Sequence, residues 1–148
     1  MKPQNELKMQ LESRSVNEGY ARVAVAAFAA TLDPTLEEIN DIKTAVSEAV
    51  TNCIVHAYKN TMGIIYITVR LFENGKVEIK IRDRGCGIAD VEKAREPLFT
   101  TGGGDRAGLG FSVMESFSDN VRVRSKVGSG TTVTLIKYIR GRHISVAP

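Results

Sequence analysis

The hydrophobic positions near the start of the chain change from alternating to helical spacing. Leu7, Met9 and Leu11 alternate with polar neighbours, and this period of two predicts a half-buried strand. From Asn17 to Leu32, apolar residues recur at steps of three and four, which is the spacing of an amphipathic helix. The chain is therefore predicted to open with a strand and a helix.

A second, longer helix is predicted to begin beside Pro34. Proline suits the first turn of a helix because the N–H group that it lacks has no intrahelical partner there. Glu37 and Glu38 follow, where negative charge interacts favourably with the helix dipole. The helix is predicted to run to about Tyr58.

Two β-hairpins are predicted further along the chain. Alternating residues 65–71 and 77–81 flank the Asn-Gly pair at 74–75, a strong signal for a tight hairpin turn. Alternating residues in 121–123 and 133–135 flank a second turn at 128–130. The chain thus has four further predicted strands, paired by tight turns.

The connection between the two hairpins is unusually long. Residues 83–110 are rich in glycine and charge, and a loop of this length is expected to be either functional or disordered. Apolar spacing then predicts a short helix from Phe111 to Phe117.

This order of elements predicts an α+β two-layer sandwich, in which helices cover one face of a mixed, mostly antiparallel sheet. The 148 residues suit a single domain, which we place at residues 1–136, followed by a basic C-terminal tail at residues 137–148. A solvated extension is the favoured interpretation of the tail, with contact to a phosphate backbone or an acidic partner as the alternative. Its basic residues are Lys137, Arg140, Arg142 and His143.

Composition narrows the class of protein. The net charge is +3 with acidic and basic residues mixed along most of the chain, so direct nucleic-acid binding is not expected. The longest apolar run, residues 23–30, is too short to span a membrane, and no signal sequence is apparent, so a cytoplasmic location is expected. Cys53 and Cys86 are interpreted as free thiols, and the single Cys53-x-x-His56 pair is weak support for zinc.

Three polar residues of the second predicted helix are candidates for chemistry. Glu48, Asn52 and His56 are spaced by four and therefore project from one face of the helix. They form either a solvated stripe or a ligand-facing one, and the helix pattern alone does not decide between these alternatives.

Two glycine-rich motifs lie in the long connection. Asp83-Arg84-Gly85-Cys86-Gly87 follows a predicted strand, and its carboxylate could accept a hydrogen bond from an exocyclic amine such as that of adenine. Residues 102–110 precede the predicted helix at Phe111, whose N-terminus would suit a phosphate. A Rossmann site is not supported because residues 97–101 do not have the pattern of a strand, and no P-loop motif occurs.

The order of these motifs resembles the GHKL ATPases. A Glu-x-x-x-Asn pair on a helix, Asp-x-Gly-x-Gly after a strand, Gly-x-Gly at a helix and Gly-Thr-Thr entering a strand occur in sequence. The resemblance implies a Bergerat fold with ATP held beneath a mobile lid, Asn52 binding Mg²⁺ and Asp83 binding the adenine amino group. The nucleotide-binding residues that it implies are Asn52, Asp83, Gly85, Gly87, Thr100, Thr101, Gly108, Leu109, Gly110 and Thr131.

Within that class, residues 47–52, 97–101 and 106–111 are similar to the bacterial anti-sigma-factor serine kinases, especially those of sporulation. This resemblance implies a homodimer that sequesters a sporulation sigma factor of the sigma-F type and phosphorylates a serine of an anti-anti-sigma factor. On this hypothesis, Glu48 activates the serine hydroxyl and Arg106 neutralises charge on the γ-phosphate. The glycine run at 102–104 and the long tail depart from the family pattern.

A partner surface is expected on the first helix. Glu18 and Arg22 lie on one face, where they form either a contact with the sigma or anti-anti-sigma partner or a simple surface salt bridge. Rival functions are a nucleotide-gated binding module without kinase activity and a general-stress anti-sigma kinase. A histidine-kinase fragment is less well supported, because no phospho-acceptor helix precedes the domain.

Overall fold

The computed structural model describes residues 1–96 and 107–141. Short helical turns at Ala30–Leu32 (3-10) and Cys53–Ala57 (π) extend the first and second helices. No helix in these two ranges is long and apolar enough to cross a membrane. The elements are β1 (Asn5–Glu12), α1 (Val16–Ala29), α2 (Leu36–Asn52), β2 (Ile64–Leu71), β3 (Lys76–Asp83), α3 (Val91–Ala94), α4 (Ala107–Ser116), β4 (Asn120–Lys126) and β5 (Gly130–Tyr138).

The described strands form one sheet in the order β1-β2-β3-β5-β4. All four neighbouring pairs among the described strands are antiparallel. The expected sheet was mixed and mostly antiparallel, and the described part of the sheet contains no parallel pair. Both predicted hairpins are confirmed, as β2-β3 and β4-β5. Helices pack on one face of the sheet, and the predicted α+β two-layer fold is therefore confirmed.

The core lies between the helices and the inward face of the sheet. Alternate residues of β2 and β3 are buried, because successive side chains of a strand point to opposite faces. Each such Ile or Leu side chain stabilises the fold by roughly 1.5–3 kcal/mol when it is fully buried. The central apolar residues are Ile65, Ile67, Val69, Val77, Ile79 and Ile81 from the sheet, with Val25, Ile42, Val46 and Val50 from α1 and α2.

The helix α2 begins with a reciprocal cap. The Thr35 side chain accepts a hydrogen bond from the Glu38 backbone N–H, and the Glu38 carboxylate accepts one from the Thr35 N–H. Such a capping box satisfies two backbone donors that have no partner within the helix. The α-helix ends at Asn52, and one π turn carries the chain to Ala57, close to the predicted end at Tyr58.

An ion pair and two hydrogen bonds connect the end of β5 and the residues after it to the start of α2. Lys137 Nζ lies 2.8 Å from Asp41 Oδ2, and the backbone N–H groups of Arg140 and Gly141 donate to the Glu38 carboxylate. The boundary predicted at residue 136 therefore falls inside β5. Tail residues 142–148, including Arg142 and His143, lie outside the described residues.

The long connection contains more helix than the sequence suggested. A single turn, α3, follows Asp90, whose side chain caps it by accepting from the Lys93 N–H at 3.0 Å. In the described part, α4 begins at Ala107, and the prediction that this helix starts at Phe111 was wrong. Glycine at 110 is retained inside the helix because α4 approaches α2 closely there: a Cβ on Gly110 would lie 3.0 Å from Asn52 Oδ1.

Candidate functional site

A pocket opens between the end of α2, the end of β3 and the start of α4. Its apolar walls come from Ala49, Ile88, Phe111 and Val133. The polar residues that line it are Asn52, Cys53, His56, Asp83, Cys86 and Thr131. Two of the predicted motifs, on α2 and after β3, therefore meet at one site.

Asp83 is the one buried charged side chain among the residues described, with 5% of its surface exposed. It is the last residue of β3 and continues the inward series of Ile79 and Ile81. Its Oδ1 accepts hydrogen bonds from the backbone N–H groups of Gly85 at 2.9 Å and Thr131 at 3.2 Å. Burial raises the pKa of the Asp83 carboxyl, and these hydrogen bonds offset only part of that rise.

The other carboxylate oxygen of Asp83 faces a cysteine. The Cys53 thiol lies 3.6 Å from Asp83 Oδ2 and donates to it across the inner end of the pocket. Burial, and then the neighbouring carboxylate, raises the pKa of Cys53 well above its usual value. Cys53 is therefore a neutral hydrogen-bond donor in this site, a role that the sequence did not indicate.

The loop after Asp83 lies tightly against two other segments. The carbonyl of Ala57, at the end of the π turn, accepts from the Cys86 N–H at 3.1 Å, and a Cβ on Gly85 would overlap that carbonyl. On the other side, Gly87 has a φ of 77° and passes close to the backbone of Lys126. Both glycines are thus required by close backbone approach.

Tyr58 links the start of this loop to the start of β2. Its hydroxyl donates to the Ile64 carbonyl at 2.6 Å and accepts from the Arg84 N–H at 2.6 Å. Burial raises the pKa of the Tyr58 hydroxyl further above its usual value. The sequence pattern had placed this residue only at the end of a helix.

A hydroxyl network supports the opposite wall. Ser125 Oγ accepts from the Ile88 N–H at 2.7 Å and lies 2.7 Å from Thr131 Oγ1. Thr131 is buried, and its N–H is one of the two backbone donors to Asp83. The predicted site residue Thr131 therefore lines the pocket, and Ser125 is a supporting residue that no motif revealed.

The polar stripe of α2 continues from this pocket to a second one. Asn52 and His56 line both pockets, whereas Glu48 lines only the outer one, together with Gly110 and Val113. The stripe therefore lines two neighbouring cavities, which share Asn52 and His56.

Several predicted site residues fall outside this geometry. Arg106, Thr100 and Thr101 lie outside the described residues. For Gly108 and Leu109 the structure gives a backbone position in the first turn of α4, next to the outer pocket residue Gly110.

The two predicted partner residues of α1 contact each other. Arg22 Nε lies 2.9 Å from Glu18 Oε2, an ion pair between residues four apart on the helix. On the far side of the same helix, the exposed side chains of Val16, Tyr20 and Val23 form an apolar strip. The salt-bridge alternative is thus observed.

The pocket offers a buried carboxylate acceptor between apolar walls. Such a site suits a flat heteroaromatic ring with an exocyclic amino group, because the ring packs on Ile88 and Phe111 while the amine donates to Asp83. The outer pocket adds an amide and a second carboxylate, from Asn52 and Glu48.

Comparison with known proteins identifies the class. Residues 10–137 match the family described as the histidine kinase-like ATPase domain. The chain belongs to this family, and the resemblance to the GHKL ATPases is confirmed. Membership of an ATPase-like family implies a nucleotide ligand.

Several proteins of similar sequence and similar length are named anti-sigma F factor. The one from Caldanaerobacter subterraneus subsp. tengcongensis is 56% identical over 140 residues, which cover 94% of this chain and 97% of that protein. The one from Priestia megaterium is 50% identical over 137 residues, covering 91% of this chain and 93% of that protein. The resemblance to the anti-sigma-factor kinases is therefore confirmed as well.

Solved structures agree on the fold. The RsbU and RsbW domains of a Mycobacterium tuberculosis protein superpose with a TM-score of 0.68 at 22% identity, covering 93% of this chain and 33% of that chain. The histidine kinase domain of an Erythrobacter litoralis blue-light activated kinase gives a TM-score of 0.59 at 18% identity, covering 84% of this chain and 60% of that chain. At these identities, the likeness concerns the fold alone.

Proposed function

We propose that this protein binds ATP with its adenine ring in the inner pocket. The observation that carries the proposal is the buried Asp83 carboxylate, held by two backbone N–H groups and the Cys53 thiol between apolar walls. An adenine amino group would donate to this carboxylate, and Thr131 would lie beside it. Phosphates would then extend toward Asn52 and the first turn of α4, which contains Gly108, Leu109 and Gly110.

Asn52 fits the role of a magnesium ligand. Its side-chain oxygen is a hard donor of the kind that Mg²⁺ accepts, and Mg²⁺ bound with a nucleotide takes few protein ligands besides phosphates and water. Gly110 leaves space beside this oxygen, because a Cβ at position 110 would lie only 3.0 Å from Asn52 Oδ1. When bound, Mg²⁺ would supply charge neutralisation for the phosphates.

We further propose that the protein transfers the γ-phosphate of ATP to a serine of a partner protein. Glu48 lies one helical turn before Asn52 on the same face and would accept the serine proton as the serine oxygen attacks. The new O–P bond forms while the bond from the γ-phosphorus to the bridging oxygen breaks, which leaves ADP. In this proposal Arg106 neutralises charge on the γ-phosphate, and Thr100 and Thr101 contribute to nucleotide binding.

The partners that we propose are a sigma factor and an anti-anti-sigma factor. Support comes from the relatives named anti-sigma F factor, which are similar to this chain over more than nine-tenths of its length. We place these contacts at the Glu18–Arg22 pair on α1. Arginine is one of the residue types that are enriched among the energetically important residues of interfaces. The proposal includes a homodimer as the acting form.

The test is a transfer assay with γ-labelled ATP, Mg²⁺ and candidate anti-anti-sigma proteins. Label is expected on a serine, and Glu48→Ala is expected to slow transfer by roughly 10²–10⁴-fold, as for the loss of a general base. Nucleotide affinity of this variant, measured by calorimetry, is expected to stay near that of the parent protein. Glu37→Ala, an exposed glutamate on the same helix, is the matched control.

Two results would contradict the kinase assignment. Transfer at the parental rate in Glu48→Ala would remove the proposed base. Tight ATP binding and a nucleotide-dependent sigma complex without any transfer would instead establish a gated binding module.

A further inference from the structure

The face of the sheet that lies opposite the helices carries a regular group of cations. Lys80 and Arg82 project from β3, and Arg122 and Arg124 project from the edge strand β4, with β5 between them. We call these four residues the basic block. Lys80, Thr134 and Arg122 are neighbours across the three strands and form a first row, in which the threonine lies between the two cations.

The second row of the basic block repeats the first. Thr132 pairs with Arg82 on one side and Arg124 on the other. From the geometry of antiparallel sheets, the cations are roughly 7 Å apart along each strand and roughly 10 Å apart across β5. Two shallow depressions that share Lys80 and Thr132 cover this area.

The charges of the basic block are not neutralised within the protein. None of its four cations forms an ion pair with any residue in the ranges that the structure describes. On β2, by contrast, Arg70 is paired with two carboxylates, since it lies 2.6 Å from Glu6 and 3.4 Å from Glu78. Four uncompensated cations in one patch destabilise the folded protein by mutual repulsion, so a ligand of opposite charge is a physical reason to keep them.

The geometry favours an extended acidic segment of a protein as the ligand. Alternate side chains of an extended chain project to one side at a spacing of roughly 7 Å, which matches the cations along β3 and β4. Carboxylates at alternate positions would each meet a lysine or arginine, with the hydroxyl of the half-buried Thr132 as a further donor.

Other ligands fit the basic block less well. Single-stranded nucleic acids bind to sheets by stacking bases on open aromatic rings. The nearby ring of Tyr66 is already covered by the guanidinium groups of Arg82 at 4.6 Å and Arg84 at 4.9 Å. A second copy of the same face is disfavoured because the cations would repel each other.

We infer that the basic block is a docking surface for an acidic, extended segment of a partner protein. The inference rests on the sheet alone and does not depend on the nucleotide site or on the kinase activity proposed above.

The test uses a labelled peptide of alternating glutamate and threonine, titrated into the full-length protein at low salt. Lys80→Glu/Arg122→Glu is expected to weaken peptide binding on the order of tenfold or more, because two attractive pairs become repulsive. Lys43→Glu/Lys59→Glu changes the net charge equally outside the sheet and is expected to retain most of the affinity. ATP affinity and circular dichroism establish that both variants are folded.

Several outcomes would overturn the inference. These are an absence of peptide binding, an equal loss in the two double variants, or tighter binding of an oligothymidylate of the same charge than of the peptide. A changed oligomeric state of Lys80→Glu/Arg122→Glu in sedimentation would instead identify the block as a self-association surface.

Discussion

Asp83 occupies a strand position where the pattern of its neighbours favours an apolar side chain. Its ionised form is stabilised by the N–H groups of Gly85 and Thr131, yet burial still raises the pKa. A buried carboxylate with remaining acceptor capacity gains more from a ligand amine than an exposed one, because it has no competing water. Asp83 is therefore the side chain on which the proposed recognition of adenine depends.

A pH dependence of nucleotide binding follows from the raised pKa of Asp83. Adenine binding requires the ionised carboxylate, so affinity is expected to fall as the pH is lowered through this pKa. The fall should begin above the range near pH 4 in which an ordinary aspartate titrates. Calorimetric titration with ADP between neutral and acidic pH measures it, and Asp83→Asn is expected to bind more weakly with a flatter profile. An affinity that is unchanged down to the ordinary aspartate range would contradict this role.

Asp83 makes folding stability change with pH in the opposite direction to nucleotide affinity. Because the pKa of Asp83 is raised in the folded state, ionisation of this group costs stability, and the cost grows as the pH rises through the interval between the unfolded and folded pKa values. A ligand amine that pairs with the carboxylate would offset this cost, so ADP is expected to protect the protein more at neutral than at acidic pH.

Tyr58 provides a second test at the scale of one atom. Tyr58→Phe removes the hydroxyl that bridges the Arg84 N–H and the Ile64 carbonyl and leaves both backbone groups without that partner. The free energy of unfolding is expected to fall by about 1–3 kcal/mol in urea denaturation. Tyr20→Phe, at an exposed position on α1, is the control and is expected to change it little. Equal stability of the two variants would contradict the bridging role.

The sequence identified the residues with local signatures and missed those that act through long-range contacts. Asp83 and the glycines after it follow a strand and form a recognisable motif. Cys53, Tyr58 and Ser125 have no such motif, because their partners lie far away in the chain and become neighbours only through the sheet.

At the scale of elements, the start of α2 holds two segments together. The Glu38 carboxylate completes the capping box and also accepts from the N–H groups of Arg140 and Gly141 after β5. Burial opposes ionisation of Glu38, but these hydrogen bonds outweigh it and lower the pKa. Its stabilising contribution is therefore present above the unfolded pKa and is lost as the pH falls through the lowered folded pKa.

Glu38→Ala is expected to lower the free energy of unfolding by about 1–2 kcal/mol at neutral pH, because three backbone N–H groups lose their carboxylate acceptor. The loss should shrink in acid, where the carboxylate of the parent protein is protonated. Glu37→Ala removes a neighbouring exposed glutamate of the same helix and serves as the control. If Glu38→Ala and Glu37→Ala unfold at the same denaturant concentration, the anchoring role of Glu38 is wrong.

The helix α4 shows why its start could not be predicted from the sequence. Glycine spacing suggested a loop up to Gly110, whereas the helix already includes Ala107 in the described part of the chain. Glycine is a poor helix former in isolation, and tertiary packing against Asn52 is what favours it here. Such packing is absent from any local pattern.

The whole molecule separates two proposed functions onto the two faces of one sheet. The inward face and the helices form the core and end in the nucleotide pocket, whereas the outward face is polar and carries the basic block. Alternation along the strands predicted both faces and both hairpins. The strand order was not predicted, because β5 pairs with β3 across a long connection that leaves no local signal.

The most direct test of the nucleotide site compares the affinities of ATP and GTP for the purified protein in the presence of Mg²⁺. Adenine presents an amino group where guanine presents a carbonyl oxygen, and only the amino group can donate to the Asp83 carboxylate. ATP is therefore predicted to bind on the order of tenfold or more tightly than GTP, with the preference reduced in Asp83→Asn. Equal affinities for the two nucleotides, or a preference unaffected by Asp83→Asn, would contradict adenine recognition by this carboxylate.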